Sequence, residues 1–533
     1  MKGASSKHIW RRDIPALATA LAAACVMGRA LAATAPVLPF ERGEWVVPAS
    51  PIDTRVLATL RQRGIEPANP CSDEVFLRRA YLDVIGTLPG PLEVRAFLTE
   101  RRPDKRPALI EALLERDEFA DYWALKWGDV LRVKAEFPIN LWPNAVQAYH
   151  RWIHDSIREN KPYDQFAREL LTSSGSNFRV PPVNFYRAIQ GREPSAIAEA
   201  VALTFMGSRI ASWPQDRRAG MEALFSRVAY KTTAEWKEEI VHLDPAPADP
   251  LDAVLPDGTK VRVQPGEDPR QVFADWLITP QNPWFARNIV NRIWSWLFGR
   301  GIIHEPDDVR ADNPPVHPEV LAYLEQELVK ADYDLRHIYR LILNSRTYQQ
   351  SSIPQSDRPE AEALFAYYPV RRLDAEVLID ALDWVGGTGQ SYSSPIPEPF
   401  TYIPEDQRTI ALADGSITST FLQMFGRPAR DTGLESERGN QMTDAQRLYL
   451  LNSTDVYRRI ANSPRLRRAA IAAHGDQAAL VREVYMTLLS RDPTPAEQAA
   501  ARKYFSTPGL SPGDAATDLA WALVNTMEFL CRH

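Results

Sequence analysis

The stretch from Phe273 to Gln350 constrains this chain more than any other. An apolar, aromatic segment leads into Gly299-Arg300-Gly301, a glycine-bearing helix stop. A loop follows that is rich in carboxylates and broken by Pro306, Pro314 and Pro315, and after it come two more amphipathic helices. No strand precedes the glycines, so they do not form a phosphate loop. The block specifies helices packed by wide aromatic faces. It holds no complete catalytic or metal motif.

The rest of the chain follows the same plan. Residues 33–70 form a proline-rich lead-in with a helix at Asp53–Arg63. Residues 71–230 form a first helical domain. Ser72-Asp73-Glu74 caps a helix carrying Phe76, Leu77, Ala80, Tyr81 and Val84 at helical spacing, and Pro91 opens the next. Further helices are predicted at Lys105–Arg116, Asp121–Val133, Ala145–Glu159, Tyr163–Thr172 and Ile189–Phe205. In residues 231–267 the pattern changes: Glu238, Ile240 and His242 alternate as in a strand, and Pro256-Asp257-Gly258-Thr259 turns into Lys260–Val263, which predicts a small β-hairpin. Residues 268–452 form a second helical domain, interrupted by an irregular loop from Gly386 to Ser419, and 453–533 a C-terminal helical unit. The predicted fold is mainly α, two interlocked helical domains with a minor β-hairpin and irregular loops.

The N-terminus reads as an export signal. Lys2, Lys7, Arg11 and Arg12 precede a short apolar run, Ile14 to Met27, and Ala30-Leu31-Ala32 has the small-x-small form of a cleavage site. Residues 1–32 are therefore expected to be removed, giving a periplasmic or cell-surface protein, with lipoprotein anchoring at Cys25 a minor alternative. No later segment is apolar for the roughly 20 residues a membrane span needs. The net charge of -6, with acidic and basic residues interleaved, disfavours nucleic acid as a partner. Of three cysteines, Cys71 and Cys531 survive cleavage, and sequence alone leaves open whether they pair. The chain has no Cys-x-x-Cys and no Cys-x-x-Cys-His, which excludes zinc ribbons and covalently attached haem.

Several motifs, in order, make the chain resemble a family. Arg287-Asn288-Ile289-Val290-Asn291-Arg292-Ile293-Trp294, Phe298-Gly299-Arg300-Gly301, Asp307-Asp308, His317-Pro318-Glu319, Ser345-Arg346-Thr347-Tyr348 and Arg371-Arg372-Leu373-Asp374-Ala375-Glu376 are similar to the second of two paired domains of unknown function in exported planctomycete-type proteins. Phe76 to Pro89 and Tyr122 to Asp129 resemble the first of the pair. Such proteins often also carry a cytochrome c domain. Relatives commonly place Cys-Ala-x-Cys-His after Phe-Leu-Gly, and Cys-Glu-Cys-Glu-Arg after Phe-Gly-x-Pro-x-Arg. Here Phe205-Met206-Gly207 is followed by Ser208 to Asp216 with neither Cys nor His, and Phe425 to Arg430 by Leu434-Glu435-Ser436-Glu437-Arg438. The resemblance implies that both clusters serve one haem, metal or disulfide site, and that this chain keeps the scaffold without it.

Three groups of residues offer chemistry. His304, Asp307, Asp308, Asp312 and His317 lie within one loop: Asp307, Asp308 and His317 would serve as catalytic acid, base or carboxylate, and His304 and Asp312 would help hold a divalent metal. Alternatively the aspartates pair with Arg287, Arg292 or Arg300, and Asn313 or His317 caps the helix at Pro318. Arg372, Glu376 and Asp380 fall at i, i+4 and i+8; with Arg427 and Arg430 they form either a salt-bridge lattice that includes Glu437 or, through Arg372, Arg427 and Arg430, a site for an anionic ligand such as a carboxylate or sulfate sugar. His150 and His154 stand one turn apart, but Arg151 occupies the place of a zincin glutamate, which favours an ordinary helix face. Trp142, Trp152, Trp284, Trp294 and Trp296 are more in keeping with core than with a sugar platform. The leading expectation is a cofactor-free protein that binds a ligand, with a polysaccharide as one candidate, or an envelope or extracellular partner. The alternative is a metal- or carboxylate-dependent hydrolase, and the third, a haem redox partner, is disfavoured by the missing cysteines.

Overall fold

The structure is a computed structural model that describes residues 36–135, 141–245, 249–394, 396, 401–404 and 406–533. The expected export segment 1–32, with Cys25, lies outside the described residues. The fold is mainly α, as the periodicity predicted. Ser50 caps Pro51–Arg63 and Ser72 caps Asp73–Val84, each accepting from a backbone N–H of the first turn. Phe285–Phe298 ends at Gly299 in the left-handed conformation that a glycine tolerates at no steric cost.

Strands are few. Gly175–Ser176, Glu239–Leu243 and Val228–Thr232 make an antiparallel sheet with Glu239–Leu243 in the centre. Leu251–Val254 and Lys260–Val263 form the expected hairpin, and Arg371–Arg372 pairs with Cys531–Arg532. Glu239–Leu243 thus belongs to a sheet of its own, because the earlier segment Gly175–Ser176 supplies its second partner.

The helical units interlock through the chain ends. Asp53 accepts from the backbone N–H groups of Arg346 and Thr347 and from the Thr347 hydroxyl at 2.8–3.0 Å. Arg79 donates to the carbonyls of Tyr348, Gln350 and His533, and Arg78 to those of Leu488 and Phe529. One hydrophobic cluster runs from Ile52 to Cys531 through both units. Cys71 and Cys531 are buried free thiols, so the bridge left open by the sequence is not formed.

Guanidinium groups lie deep in this core. Arg78, Arg79, Arg106, Arg270, Arg292, Arg372, Arg430 and Arg532 are among the largest fully buried side chains. Burial of a charge is tolerated only where it is paired and hydrogen-bonded, and a lattice at the junction of the units meets that condition. Asp374 takes Lys126 and Arg532 at 3.0 Å and the Tyr122 hydroxyl at 2.9 Å. Arg532 also reaches Asp83, which pairs with Arg371 and accepts from the hydroxyls of Tyr348 and Tyr368. Arg438 joins Glu376 at 2.7 Å to Asp129 at 2.6 Å. Burial alone would raise the carboxyl pKa values, but Lys126, Arg532 and Arg438 hold Asp374 well below its ordinary value. Against the same cost of burial, Arg438 and Arg427 draw Glu376 down to about 2.

Replacing Asp374 with Asn leaves three buried cations short of counter-charge and should cost ~3–5 kcal/mol, read as a lower urea midpoint at pH 7. A carboxylate held below its unfolded value stabilises fully above that value, about 4, and loses its contribution as pH falls toward the folded value. The stability difference between wild type and D374N should therefore be constant from pH 5 to 8 and shrink below about pH 4. An unchanged midpoint would refute the assignment of the lattice as the structural junction.

Candidate functional site

The acidic loop does not gather its residues. Asp307 is fully buried and pairs with Arg292 at 2.6 Å, while its second oxygen accepts from the Glu435 backbone N–H at 2.6 Å. Asp308 and Asp312 turn to Arg310. His317 is buried with Nε2 against the Leu364 carbonyl at 3.0 Å, and burial lowers its pKa. His304 is exposed, its pKa lowered by partial desolvation of its ring and by Arg300. Among the described residues, no three His, Cys, Asp or Glu side chains converge to hold a metal ion. His317 stands at the N-cap of Pro318–Lys330 without capping it through its side chain, and Asn313 donates instead to the His304 and Asp308 carbonyls.

The arginines singled out in the sequence are likewise engaged by the chain itself. Arg372 lies in the strand Arg371–Arg372, ahead of the helix Ala375–Gly386, so it does not share a helical face with Glu376 and Asp380. It donates to the carbonyls of Leu373, Phe425 and Gly439. The two loops it ties approach so closely that a Cβ on Gly426 would sit 2.1 Å from the Gly439 carbonyl oxygen. Arg427 contacts Glu376 and the carbonyls of Ile417 and Asp414. Arg430 is held by Asp129 and three carbonyls. Glu437 accepts from the backbone N–H groups of Asp431 and Thr432 and so shapes the same loop.

The segments after Gly207 and after Arg430, where the resemblance implies cysteines in relatives, border one stretch of chain. Ser208 donates to the Val309 carbonyl at 2.8 Å, and Glu435 rests on Asp307. Glu435 also accepts from the Trp296 indole and lies near Arg292. Burial raises its pKa, only partly offset by Lys126 and Arg292. His150 is half-buried, its pKa pushed down to about 3 by desolvation and by Arg430, while His154 faces Asp121 and Asp155. Trp294 and Trp296 are both core.

What the structure does assemble is a groove at the seam between the units. A cavity of about 490 Å³ lies among Leu88, Pro91, Glu118, Asp380, Trp384 and Arg408. A second, of about 400 Å³, lies among Arg95, Trp384, Arg465, Arg468, Ala472 and Glu483. Pro91, Trp384 and Arg465 line both, so the two run together with Trp384 at the junction. Asp380 and Trp384 lie one turn apart on Ala375–Gly386, and Glu376, one turn before them, anchors that helix in the buried lattice. Arg465 and Arg468 project from Pro464–Ala472, whose N-cap Ser463 donates to the Val385 carbonyl at 2.6 Å. The first unit supplies Pro91 and Glu93 from Pro91–Thr99, and Arg116, which bridges Glu93 and Glu118.

Two electrostatic features mark the groove. Asp380 caps Thr409–Ala411, accepting from the Thr409 and Ile410 N–H groups at 2.8 and 3.1 Å, with Arg408 at 3.8 Å. Burial outweighs these partners and pushes its pKa up to about 6. Arg465 stacks over Trp384 at 4.3 Å and donates through Nε to the Trp384 carbonyl; burial and the neighbouring Arg468 depress its pKa. Asp380 was visible in the sequence as part of the charged helix, but Trp384, Arg465 and Arg468 were not singled out. The only sequence signal was the basic run Arg465-Leu466-Arg467-Arg468, separated from Trp384 by about eighty residues.

Residues 51–213 match the family model PSCyt2, described as a protein of unknown function (DUF1549), and residues 269–505 match PSD1, described as a protein of unknown function (DUF1553). The chain carries these two domains in tandem, in the order its resemblance implied. No curated protein and no solved structure matches it. The groove thus lies between the paired domains: Arg95 of the first pairs with Glu483 of the second across it.

Substituting Asp307 with Asn strands the buried Arg292 and should cost ~3–5 kcal/mol in chemical unfolding, whereas D312N, at an exposed position, should change stability by under about 0.5 kcal/mol. A carboxylate whose pKa is raised on folding disfavours the folded state increasingly as pH rises from about 4 to about 6. The melting temperature of D380N should therefore vary less between pH 4 and 7 than that of the wild type.

Proposed function

We propose that this chain, built from the two paired domains, is an exported protein of the periplasm or cell surface that binds an extracellular polysaccharide in the seam groove, without haem or a resident metal. The observation that carries the reading is the groove itself. It joins two cavities, each of a size that holds a drug-sized ligand, so a segment of a polymer has room where a single sugar ring would leave most of the space unfilled. An aromatic side chain stands where they meet, with Arg465 over one face of its ring, and a sugar ring would pack against the rest of its apolar surface, with charged and hydrogen-bonding groups on both sides. Ligands commonly bind between domains, and here the domains occur as a pair.

Three further observations bear on it. The loop residues first suspected of catalysis, Asp307 above all, are engaged in holding the fold, so a hydrolase centred on Asp307, Asp308 and His317 draws no support from their arrangement. No helix among the described residues is long and apolar enough to cross a membrane. The basic and apolar pattern of residues 1–32 supports export.

Affinity electrophoresis through gels containing soluble polysaccharides tests the reading. At least one polysaccharide should retard the protein, W384A should lose most of that retardation while keeping its melting temperature within a few degrees, and dialysis against EDTA should leave retardation unchanged. Absence of retardation across the panel, or full retention by W384A, would overturn it.

A further inference from the structure

The cationic end of the groove carries a more specific reading. The charged groups lining it are Arg95, Arg465, Arg468 and Glu483. Arg95 and Glu483 neutralise each other across the seam. Arg465 and Arg468 have no carboxylate partner among the described residues; in each, Nε alone is held, by the carbonyls of Trp384 and Pro464 respectively. The other arginines at the seam, Arg95, Arg116 and Arg408, each have an acidic partner. Two guanidiniums one helical turn apart repel each other, and that repulsion persists unless an anion lies between or beside them. Arg465 is also fixed, by stacking on Trp384 and by its bond to the Trp384 carbonyl, so its terminal nitrogens are oriented before any ligand arrives.

We propose that the ligand of the groove is an anionic saccharide, whose carboxylate or sulfate groups are bound by Arg465 and Arg468 while a neighbouring ring packs at Trp384. The proposal rests on the polysaccharide-binding reading and adds the chemical class of the ligand. The arginines select charge, through paired N–H···O bonds to a planar carboxylate or a sulfate. The position of Trp384 between the cationic cavity and the one lined by Asp380 and Arg408 selects a ring next to that charge. Arg467 on the same helix is exposed, lines neither cavity and contacts Asn462, so it provides an internal control.

The experiment measures binding of the full chain to dextran, dextran sulfate, polygalacturonate and poly-glutamate by calorimetry at about 0.15 M salt. Dextran sulfate or polygalacturonate should bind, and which of them binds decides between sulfate and carboxylate. R465A and R468A should each weaken that binding about tenfold, roughly the contribution of one charge-assisted contact, and R467A should leave it unchanged. Equal loss in R467A, or equal affinity for poly-glutamate, would show a nonspecific polyelectrolyte effect and overturn the proposal. Binding of neutral dextran alone, lost in W384A, would overturn the anionic class while leaving the polysaccharide reading standing. No binding to any of the saccharides would remove both.

Discussion

The structure depends on one electrostatic arrangement, the buried set of Asp83, Asp129, Asp374 and Glu376 with Lys126, Arg371, Arg438 and Arg532. These residues come from segments hundreds of positions apart, and each charge is satisfied only when all the segments are in place. Removing an ion from water costs several kcal/mol even after relaxation, so a partial lattice is worse than none. The arrangement therefore acts as a check on assembly. The C-terminal strand Cys531–Arg532 cannot leave Arg371–Arg372 without exposing Asp83 and Asp374 to loss of their partner.

That lattice also places the groove. The helix Ala375–Gly386 begins inside it, with Asp374 as N-cap and Glu376 bound by Arg438. Two further turns along the same face bring Asp380 and then Trp384 to the seam, a consequence of a helical repeat close to four residues. The chemistry changes along this face. Glu376 meets several cations and ionises readily, whereas Asp380, with only Arg408 and two backbone donors, is held toward its neutral form by burial. Charges at the near end tie the helix into the lattice, and Asp380 at the far end borders the groove.

Much of this was legible in the chain. Helical periodicity, serine caps and glycine stops located Asp73–Val84, Tyr163–Thr172 and the helix ending at Gly299, because these signals act over a few residues. The lattice reading of Arg427 and Arg430 was legible from residue type alone, although their partners Glu376 and Asp129 lie far away in the chain. The acidic loop misled because proximity in sequence is not convergence in space. Asp307 points inward to Arg292, Asp308 and Asp312 turn outward to Arg310, and His317 is buried against Leu364. A proline-stiffened loop fixes where its backbone runs, and neighbouring packing then decides where each side chain goes.

The sequence by itself determined that this protein is helical and which two domains it pairs, since these follow from local pattern and residue identity. Only the tertiary structure decided which charges are spent on the fold and which remain free. Arg372 and Arg465 look alike in the chain, yet one is enclosed by three carbonyls and the other stands at a cavity with no acidic partner among the described residues. The physical reason is that a guanidinium's role depends on the neighbours that reach it through folding, and those neighbours are supplied by segments distant in sequence.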